Sequence, residues 1–291
     1  MPGSGAPSRL DDWVELTKPR ITVMVVVTAG IGVLLAAQAA PSWRLLFHAL
    51  VGTWLIAAGS AAINHVLERD SDARMTRTRM RPLPTGRLTP WPATVFGVLL
   101  AGLGAFQLAH RVNGLTALLG LVAFFVYVAV YTPLKRRTAL ATLVGAVPGA
   151  IPPMMGWTAV TGRLDAGAWI LFALLFLWQL PHFLAIAWMC REDYGRAGFP
   201  MLPVLHPDGR STARQMVLYS AALIPVSLGP SALGLTGASY FVGALLLGTA
   251  FLGVCLQFSR SISERAARRV LLASVAYLPG VLAAMVIDRV V

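Results

Sequence analysis

Long runs of apolar residues, separated by short polar connections, account for most of this 291-residue sequence. A helix needs about 20 apolar residues to cross the roughly 30 Å hydrocarbon layer of a membrane. Runs of that length recur along the whole chain and predict nine transmembrane helices, so the pattern indicates an all-α, polytopic membrane protein. The predicted spans are 21–40, 45–66, 91–110, 114–132, 139–160, 168–190, 214–233, 238–258 and 269–288.

The composition agrees, because 57% of the residues are hydrophobic and only 12% are charged. The net charge of +12 is compatible with binding to nucleic acid, but the basic residues fall in short loops between the apolar runs. Of the 24 lysines and arginines, 20 lie on the side of the N-terminus and 4 on the other side. Basic loops of membrane proteins face the cytoplasm. We therefore expect the lipid bilayer and no nucleic acid as a partner, with the N-terminus cytoplasmic and the C-terminus outside.

Two connections, at about 68–90 and 191–213, are longer than the others and fall on the predicted cytoplasmic side. Both are polar and rich in arginine, with prolines and glycines at turns. Long loops in compact proteins often cover a functional site. We expect residues 1–16 to form a flexible segment, with a short interfacial helix near 11–19. The remainder, 17–291, is expected to be one membrane domain with a cytoplasmic cap made of the two loops.

The end of the second apolar run carries Asn64, Glu68 and Asp72 at four-residue spacing. Four residues of α-helix advance about 40° around the axis, so the three side chains form one slowly turning stripe. Their oxygens suit Mg²⁺, which typically bridges carboxylates to a substrate phosphate. Arginines follow directly in the sequence, and guanidinium groups bind phosphate oxygens in a bidentate manner. The stripe indicates a magnesium–diphosphate site, although charges at a helix end also occur as simple markers of the cytoplasmic side.

Further charged residues flank the other apolar runs. Asp193 follows the sixth run, eleven residues after His182, and on a continuous helix the two would share a face about 16 Å apart. A histidine at membrane depth is either a satisfied core group or a ligand contact. Lys135 and Arg136 follow the fourth run, and Arg20 stands at the start of the first. Each of these three is open to two interpretations, an anchor at the membrane surface or a diphosphate contact.

Three segments carry a resemblance to a known family. They are ERDSDARMTRTRMRPLPTG from Glu68, YTPLKRRT from Tyr131, and WQLPHFLAIAW from Trp178 with the REDYGRAGFPMLP that follows it. Together with the stripe, they resemble the UbiA-type intramembrane prenyltransferases, and among these the subfamily that farnesylates haem B. The likeness extends from about Thr17 to the last span. The family mark has an aspartate where this chain has Glu68.

The resemblance implies a bundle of nine helices around a central cavity that opens to the lipid and is capped on the cytoplasmic side. The implied reaction transfers the farnesyl group of farnesyl diphosphate to a vinyl group of haem B and adds water, giving haem O and diphosphate for terminal oxidase assembly. It also implies Mg²⁺ as the cofactor and the inner membrane as the location. Haem A synthase and terminal oxidase assembly factors follow as candidate partners.

Within this framework the residues receive roles. We expect Asn64, Glu68, Asp72 and Asp193 to bind the metal and, with Lys135, to form the catalytic set. The tentative haem contact is His182. The expected diphosphate contacts are Arg20, Arg69, Arg77, Arg81, Lys135 and Arg136.

Other functions remain open. A prenyltransferase of the same fold that acts on an aromatic quinone precursor is the nearest alternative, but the RTxxRPL and WQLPHF segments favour haem. An ion-coupled transporter belongs to a different class and would place its polar groups at broken helices near the midplane. Here the charges cluster at the cytoplasmic edge, and the sequence shows no inverted repeat. A protein that only binds haem would not need acids and arginines side by side.

Overall fold

The computed structural model describes residues 8–37 and 39–289. These ranges form helices joined by turns and loops. Among the described residues, β-type pairing is limited to one isolated bridge between Thr236 and Arg289. The helices in chain order are α1 (Arg9–Leu16), α2 (Pro19–Ala36), α3 (Trp43–Asp72), α4 (Pro90–Arg111), α5 (Gly114–Phe125), α6 (Thr132–Leu134), α7 (Ala141–Thr161), α8 (Ala166–Met189), α9 (Arg191–Ala197), α10 (Leu202–Leu205), α11 (Arg210–Ala232), α12 (Ala238–Arg260) and α13 (Glu264–Ile287). A π-helical segment, Val126–Tyr131, joins α5 to α6 without interruption.

Within the described ranges, nine long helical segments correspond to the nine predicted spans, with α5, the π-helical segment and α6 forming the fourth. Eight of them are long and apolar enough to cross a membrane, and the exception is α11. Helix α11 begins with the polar sequence RSTARQ and contains Pro225 and Pro230, which lowers its mean hydropathy. The predicted all-α, multi-pass membrane architecture is confirmed.

Helix α3 is longer than the sequence pattern predicts, because it continues to Asp72, six residues past the expected end of the span. The second long connection is not a loop either, since most of 191–213 is helical in α9, α10 and the first turn of α11. A small apolar cluster that includes Met75, Tyr194 and Phe199 gives this segment a core of its own. Both cap segments are therefore packed structures.

The part of the N-terminal segment that the structure describes is helical, and α1 (Arg9–Leu16) overlaps the short helix expected near 11–19. In α1, Ser8 and Asp11 form a reciprocal capping box, which satisfies two backbone donors at the helix start. Leu16 is fully buried, and buried Asp12 pairs with Arg87 of the first cap segment at 2.9 Å. These contacts hold α1 against the cap, while residues 1–7 lie outside the described residues.

Helices α2 and α7 pack against each other through glycines. Helix α7 is continuous from Ala141 to Thr161, although it contains Pro148, Pro152 and Pro153. A Cβ atom on Gly156 would overlap the carbonyl oxygen of Ala29, and one on Gly32 would overlap that of Pro153. Small residues let the two backbones approach closely. This packing fixes α2, and with it the start of α2, against the bundle.

Candidate active site

The last turns of α3 carry the predicted stripe into the interior of the protein. The exposed fractions of Asn64, Glu68 and Asp72 are 2%, 4% and 1%. Asp70 lies on the other side of the helix, where it is exposed and pairs with Arg69 at 3.0 Å. The helical turn therefore separates buried acids from solvent-facing charges within five residues of chain.

Each side chain of the stripe is held by a cation from a different part of the chain. The three pairs are Lys18 Nζ with Asn64 Oδ1 at 2.6 Å, Lys135 Nζ with Glu68 Oε1 at 3.0 Å, and Arg81 Nη1 with Asp72 Oδ2 at 2.7 Å. The cations come from the start of α2, the end of α6 and the first cap segment. The site is thus assembled by tertiary packing from four segments that are far apart in sequence.

Lys18 is a site residue that sequence reasoning missed, because it selected Arg20 two positions later. The structure turns Lys18 inward and leaves Arg20 exposed. Lys18 has a left-handed backbone with φ of 47°, a conformation that costs a residue other than glycine about 1–2 kcal/mol. Burial lowers the pKa of Lys18 to about 8, and the Glu68 carboxylate opposes this shift. Both cations flank Pro19, so the sequence gives no signal that separates them.

The π-helical segment positions two of the groups in the site. Single turns of π-helix within longer helices frequently occur at functional sites. Directly after this turn, the Thr132 hydroxyl accepts a hydrogen bond from Asn64 Nδ2 at 3.0 Å and donates one to the Tyr127 carbonyl at 2.8 Å. Lys135 follows three residues later. Thr132 was not selected from the sequence, since a lone threonine in an apolar helix carries no signal of a site.

The second cap segment closes over the Lys135–Glu68 pair. The Lys135 ammonium lies 4.7 Å from the centroid of the Phe199 ring and 5.8 Å from that of Tyr194. A cation over the face of an aromatic ring is attracted by its quadrupole. Removing one partner of a buried ion pair costs about 3–5 kcal/mol because the other charge stays buried and uncompensated. The cap therefore encloses the Lys135–Glu68 ion pair, and loss of either residue should destabilise this part of the site.

Asp193, the expected fourth metal ligand, has a different environment. Its carboxylate accepts hydrogen bonds from the backbone N–H groups of Thr76 at 3.1 Å and Arg77 at 3.4 Å, and it pairs with Arg196. Desolvation by itself raises the pKa of a carboxyl, but the hydrogen bonds from Arg196, Thr76 and Arg77 outweigh it and lower the pKa of Asp193. Asp193 thus joins the second cap segment to the first.

A break in the helix lies between His182 and Asp193. Helix α8 ends at Met189 and α9 begins at Arg191, with Cys190 between them outside the helical conformation. The shared face that a continuous helix would give His182 and Asp193 is therefore wrong. Among the residues that the structure describes, no three His, Cys, Asp or Glu side chains form a group that could hold a metal ion.

The predicted arginines divide by position. Arg81 is half-buried and reaches the stripe, whereas Arg69, Arg77 and Arg136 are exposed. Arg77 contributes its backbone N–H to the cap contact, and the Arg136 guanidinium donates to the Leu67 carbonyl of α3 at 2.6 Å. These exposed arginines stand at the rim of the site.

His182 is half-buried in α8 and contacts α13. Its Nδ1 lies 2.8 Å from the Ser274 hydroxyl of α13, and its ring stacks on Trp178 with centroids 5.2 Å apart. The contact with Ser274 uses Nδ1, so any ligand would have to approach at Nε2.

The stripe has the chemistry of a magnesium site. Asn64, Glu68 and Asp72 offer only oxygen donors, which are the ligands that Mg²⁺ prefers. Asp72 Oδ1 is buried and has no hydrogen-bond partner. Such an orphaned oxygen is costly, and a bound cation would satisfy it. The residues present therefore fit Mg²⁺.

Comparison with known proteins decides the family, because the model of the UbiA prenyltransferase family matches residues 24–278. The chain belongs to the UbiA prenyltransferase family. This UbiA family member is 50% identical over 289 residues to a protoheme IX farnesyltransferase of Solibacter usitatus, which covers 96% of this chain and 98% of the relative. It is 46% identical over 302 residues to the protoheme IX farnesyltransferase of Koribacter versatilis, covering 100% and 97%.

Solved structures share the fold at low sequence identity. The structure of a digeranylgeranylglyceryl phosphate synthase has a TM-score of 0.81 and 16% identity, with 96% of this chain and 98% of the other covered. A UbiA homolog from Archaeoglobus fulgidus bound to GPP and Mg²⁺ has a TM-score of 0.66 and 16% identity, with 94% and 99% covered. The sequence-based prediction of a UbiA-type fold is confirmed.

Proposed function

We propose that this UbiA family member transfers the farnesyl group of farnesyl diphosphate to a vinyl group of haem B, with addition of water, giving haem O and diphosphate for terminal oxidase assembly. The observation that carries the proposal is the buried stripe of Asn64, Glu68 and Asp72 beside three cations. The 50% identity to a protoheme IX farnesyltransferase over nearly the whole chain supports haem as the acceptor.

The side chains of the site fit the first chemical step. The bond between farnesyl C1 and the diphosphate oxygen breaks, and its electron pair leaves with the diphosphate. Lys18, Lys135 and Arg81 supply positive charge at the stripe, where it stabilises the negative charge that develops on the leaving group. The π electrons of the vinyl group then form the new carbon–carbon bond. Water adds to the resulting cation and loses a proton, so no protein nucleophile is required.

We assign the metal ligands to Asn64, Glu68 and Asp72, and we assign Asp193 to closure of the cap over them. When bound, Mg²⁺ would neutralise charge on the diphosphate. The cap would exclude water until the new bond has formed. Arg69, Arg77 and Arg136 at the rim would attract the incoming diphosphate, as would exposed Arg20.

The product and the charge distribution suggest the cellular setting. We place residues 17–291 in the inner membrane as one domain, with the cap and the N-terminus on the cytoplasmic side and the C-terminus outside, because 20 of the 24 basic residues lie on the cap side. The apolar interior would form the central cavity that holds the farnesyl chain. Haem A synthase and terminal oxidase assembly factors are the candidate partners, since they use the product.

The reaction is tested in purified membranes that receive haem B, farnesyl diphosphate and Mg²⁺, with and without a chelator, and the haem is then weighed by mass spectrometry. We expect a farnesylated, hydrated haem that disappears with the chelator. Diphosphate release only when an aromatic quinone precursor replaces haem would favour the quinone-type function. No release with either acceptor from folded protein would favour a transporter or a haem-binding protein.

We assign a haem contact to His182, at Nε2 or through a propionate. The test compares His182→Ala with His206→Ala, a substitution at an exposed histidine in the second cap segment. We expect His182→Ala to weaken haem binding in a Soret titration and His206→Ala to leave it unchanged. Normal haem affinity and normal turnover in the His182→Ala protein would remove the assignment.

A further inference from the structure

A groove of about 340 Å³ lies between α11 and α12, at the end of the bundle that carries the cap. We propose that this groove binds one anionic phospholipid, with the phosphate on Arg210 and Arg214 and an acyl chain along the apolar part. The binding site is separate from the reaction site and goes beyond the proposed function. The residues that line it include Arg210, Arg214, Val217, Leu218, Leu256 and Ser259.

The groove changes from charged to apolar along its length. Arg210 and Arg214 lie in the first two turns of α11, and four residues correspond to about 6 Å along the axis on nearly the same face. Leu218 continues this stripe one turn further and is 55% exposed. On the other wall, Leu256 is 38% exposed one turn before the end of α12. A phospholipid has the same order of polarity, from phosphate to acyl chain.

The two guanidinium groups are available to a ligand. The Arg210 side chain is 87% exposed, and its nearest carboxylate is Asp208 at 3.9 Å, which is itself 60% exposed. A long, exposed ion pair of this kind contributes little to stability, because both charges remain solvated. Among the ion pairs of the described residues, none involves Arg214. Neither arginine therefore has to give up a strong partner in order to bind phosphate.

The surroundings of the groove favour an anionic headgroup over a zwitterionic one. Arg260 at the end of α12 and Arg265 and Arg268 at the start of α13 are all exposed. Of the acids in this region, Glu264 pairs with Arg191 at 3.1 Å, and exposed Asp208 lies 3.9 Å from Arg210. Basic residues near a membrane surface attract anionic lipids, and basic pockets between transmembrane helices bind anionic headgroups. The cation of a phosphatidylcholine headgroup would instead be repelled by these arginines.

Native mass spectrometry of the purified full-length protein tests the proposal. The protein in neutral detergent is titrated with phosphatidylglycerol and, separately, with phosphatidylcholine. We expect wild type to retain phosphatidylglycerol at least fivefold better than phosphatidylcholine. The double variant Arg210→Gln/Arg214→Gln should lose at least fivefold of the phosphatidylglycerol adduct. Equal retention by this variant and wild type would overturn the proposal.

Two further variants separate the groove from general surface charge. Arg79→Gln/Arg137→Gln removes the same charge from exposed positions at the cap end but outside the groove, and it should retain the lipid. Ser259→Trp keeps both arginines and fills the groove from an exposed position, and it should lose the adduct. Full retention in Ser259→Trp, or an equal loss in the control pair, would show diffuse attraction and overturn the groove. The lipid adduct is read without substrates, so failure of the proposed reaction would leave this result unaffected.

Discussion

The ends of α3 and α8 look alike in sequence, because each apolar helix runs into a polar segment that contains acids, arginines, glycines and prolines. In the structure they differ. Helix α3 remains helical to Asp72 and buries Glu68 and Asp72 to 4% and 1% exposure. Helix α8 stops at Met189, and Asp193 comes to lie on a separate short helix, where it contacts the backbone of the first cap segment.

The role of an acid at the end of a membrane helix therefore depends on the side-chain or backbone groups that pack beside it. Glu68 and Asp72 each face a cation brought by another element, as Asn64 does, and one oxygen of Asp72 has no partner. Asp193 faces backbone N–H groups that use its acceptor capacity. We therefore expect the first end to determine the chemistry and the second to determine how the cap is held.

The largest expected effect is at the α3 end. Glu68→Gln or Asp72→Asn should lower farnesyl transfer at least about 100-fold, since each weakens binding of the Mg²⁺ that would neutralise charge on the leaving diphosphate. Asp193→Asn, which changes the charge by the same amount, should lower it less than about fivefold. Rates are compared in the haem farnesylation assay, with gel filtration as the control for folding. If Asp193→Asn lost as much activity as Glu68→Gln, the assignment of different roles to the two helix ends would be wrong.

The start of α2 offers a matched pair of cations. Lys18→Met should reduce kcat/KM for farnesyl diphosphate by about 10–100-fold, as expected when a charged hydrogen bond worth about 1.5–3 kcal/mol is removed. Arg20→Met should stay within about threefold of wild type, because Arg20 is exposed and rim charges are screened. If Arg20→Met were the more damaging variant, the sequence-based choice of Arg20 would stand and the inward position of Lys18 would lose its functional meaning.

A smaller effect is expected at Thr132. Thr132→Val removes the acceptor for Asn64 Nδ2 and should lower turnover by about five- to tenfold, the value of one neutral buried hydrogen bond. Thr132→Ser retains the hydroxyl and serves as the control, with near-normal turnover. Equal activity of the valine and serine variants would show that the orientation of Asn64 does not depend on this bond.

The smallest effect concerns the cap contact and its pH dependence. At pH 5, the Thr76 and Arg77 amides should exchange hydrogen about fivefold faster in Asp193→Ala than in wild type, corresponding to about 1 kcal/mol for an exposed contact. The pKa of Asp193 is lowered in the folded protein, so this contribution is present above the ordinary carboxyl value of 3.8 and is lost as the pH falls through the lower native value.

The measurement is hydrogen exchange read by mass spectrometry, with variant and wild type compared at each pH so that the intrinsic exchange rate cancels. Amides distant from the cap serve as the internal control. A protection difference at Thr76 and Arg77 that did not diminish on acidification below the ordinary carboxyl value of 3.8 would contradict the assignment to the Asp193 carboxylate.

Much of the fold could be predicted, because membrane spans and helical stripes depend on local pattern. The nine apolar runs match the nine long helical segments of the described residues, and the four-residue spacing of Asn64, Glu68 and Asp72 correctly placed them on one face. The end of α3 was placed six residues early, since a hydropathy pattern ends where charges begin. A helix can continue through buried charged residues when other elements supply side chains that neutralise those charges.

The sequence by itself determined the helices, the family and the stripe. The helices and the stripe depend on residues that are close together along the chain, and the family is recognised from short continuous motifs. Only the tertiary structure decided which cations face the stripe. Lys18, Arg81 and Lys135 reach it from three elements, and the left-handed turn at Lys18 selects it over Arg20. The structure likewise shows that Asp193 contacts the backbone of the first cap segment, a pairing between residues more than 100 positions apart. Long-range packing determines which way these side chains point, and the spacing of residues along the chain does not predict it.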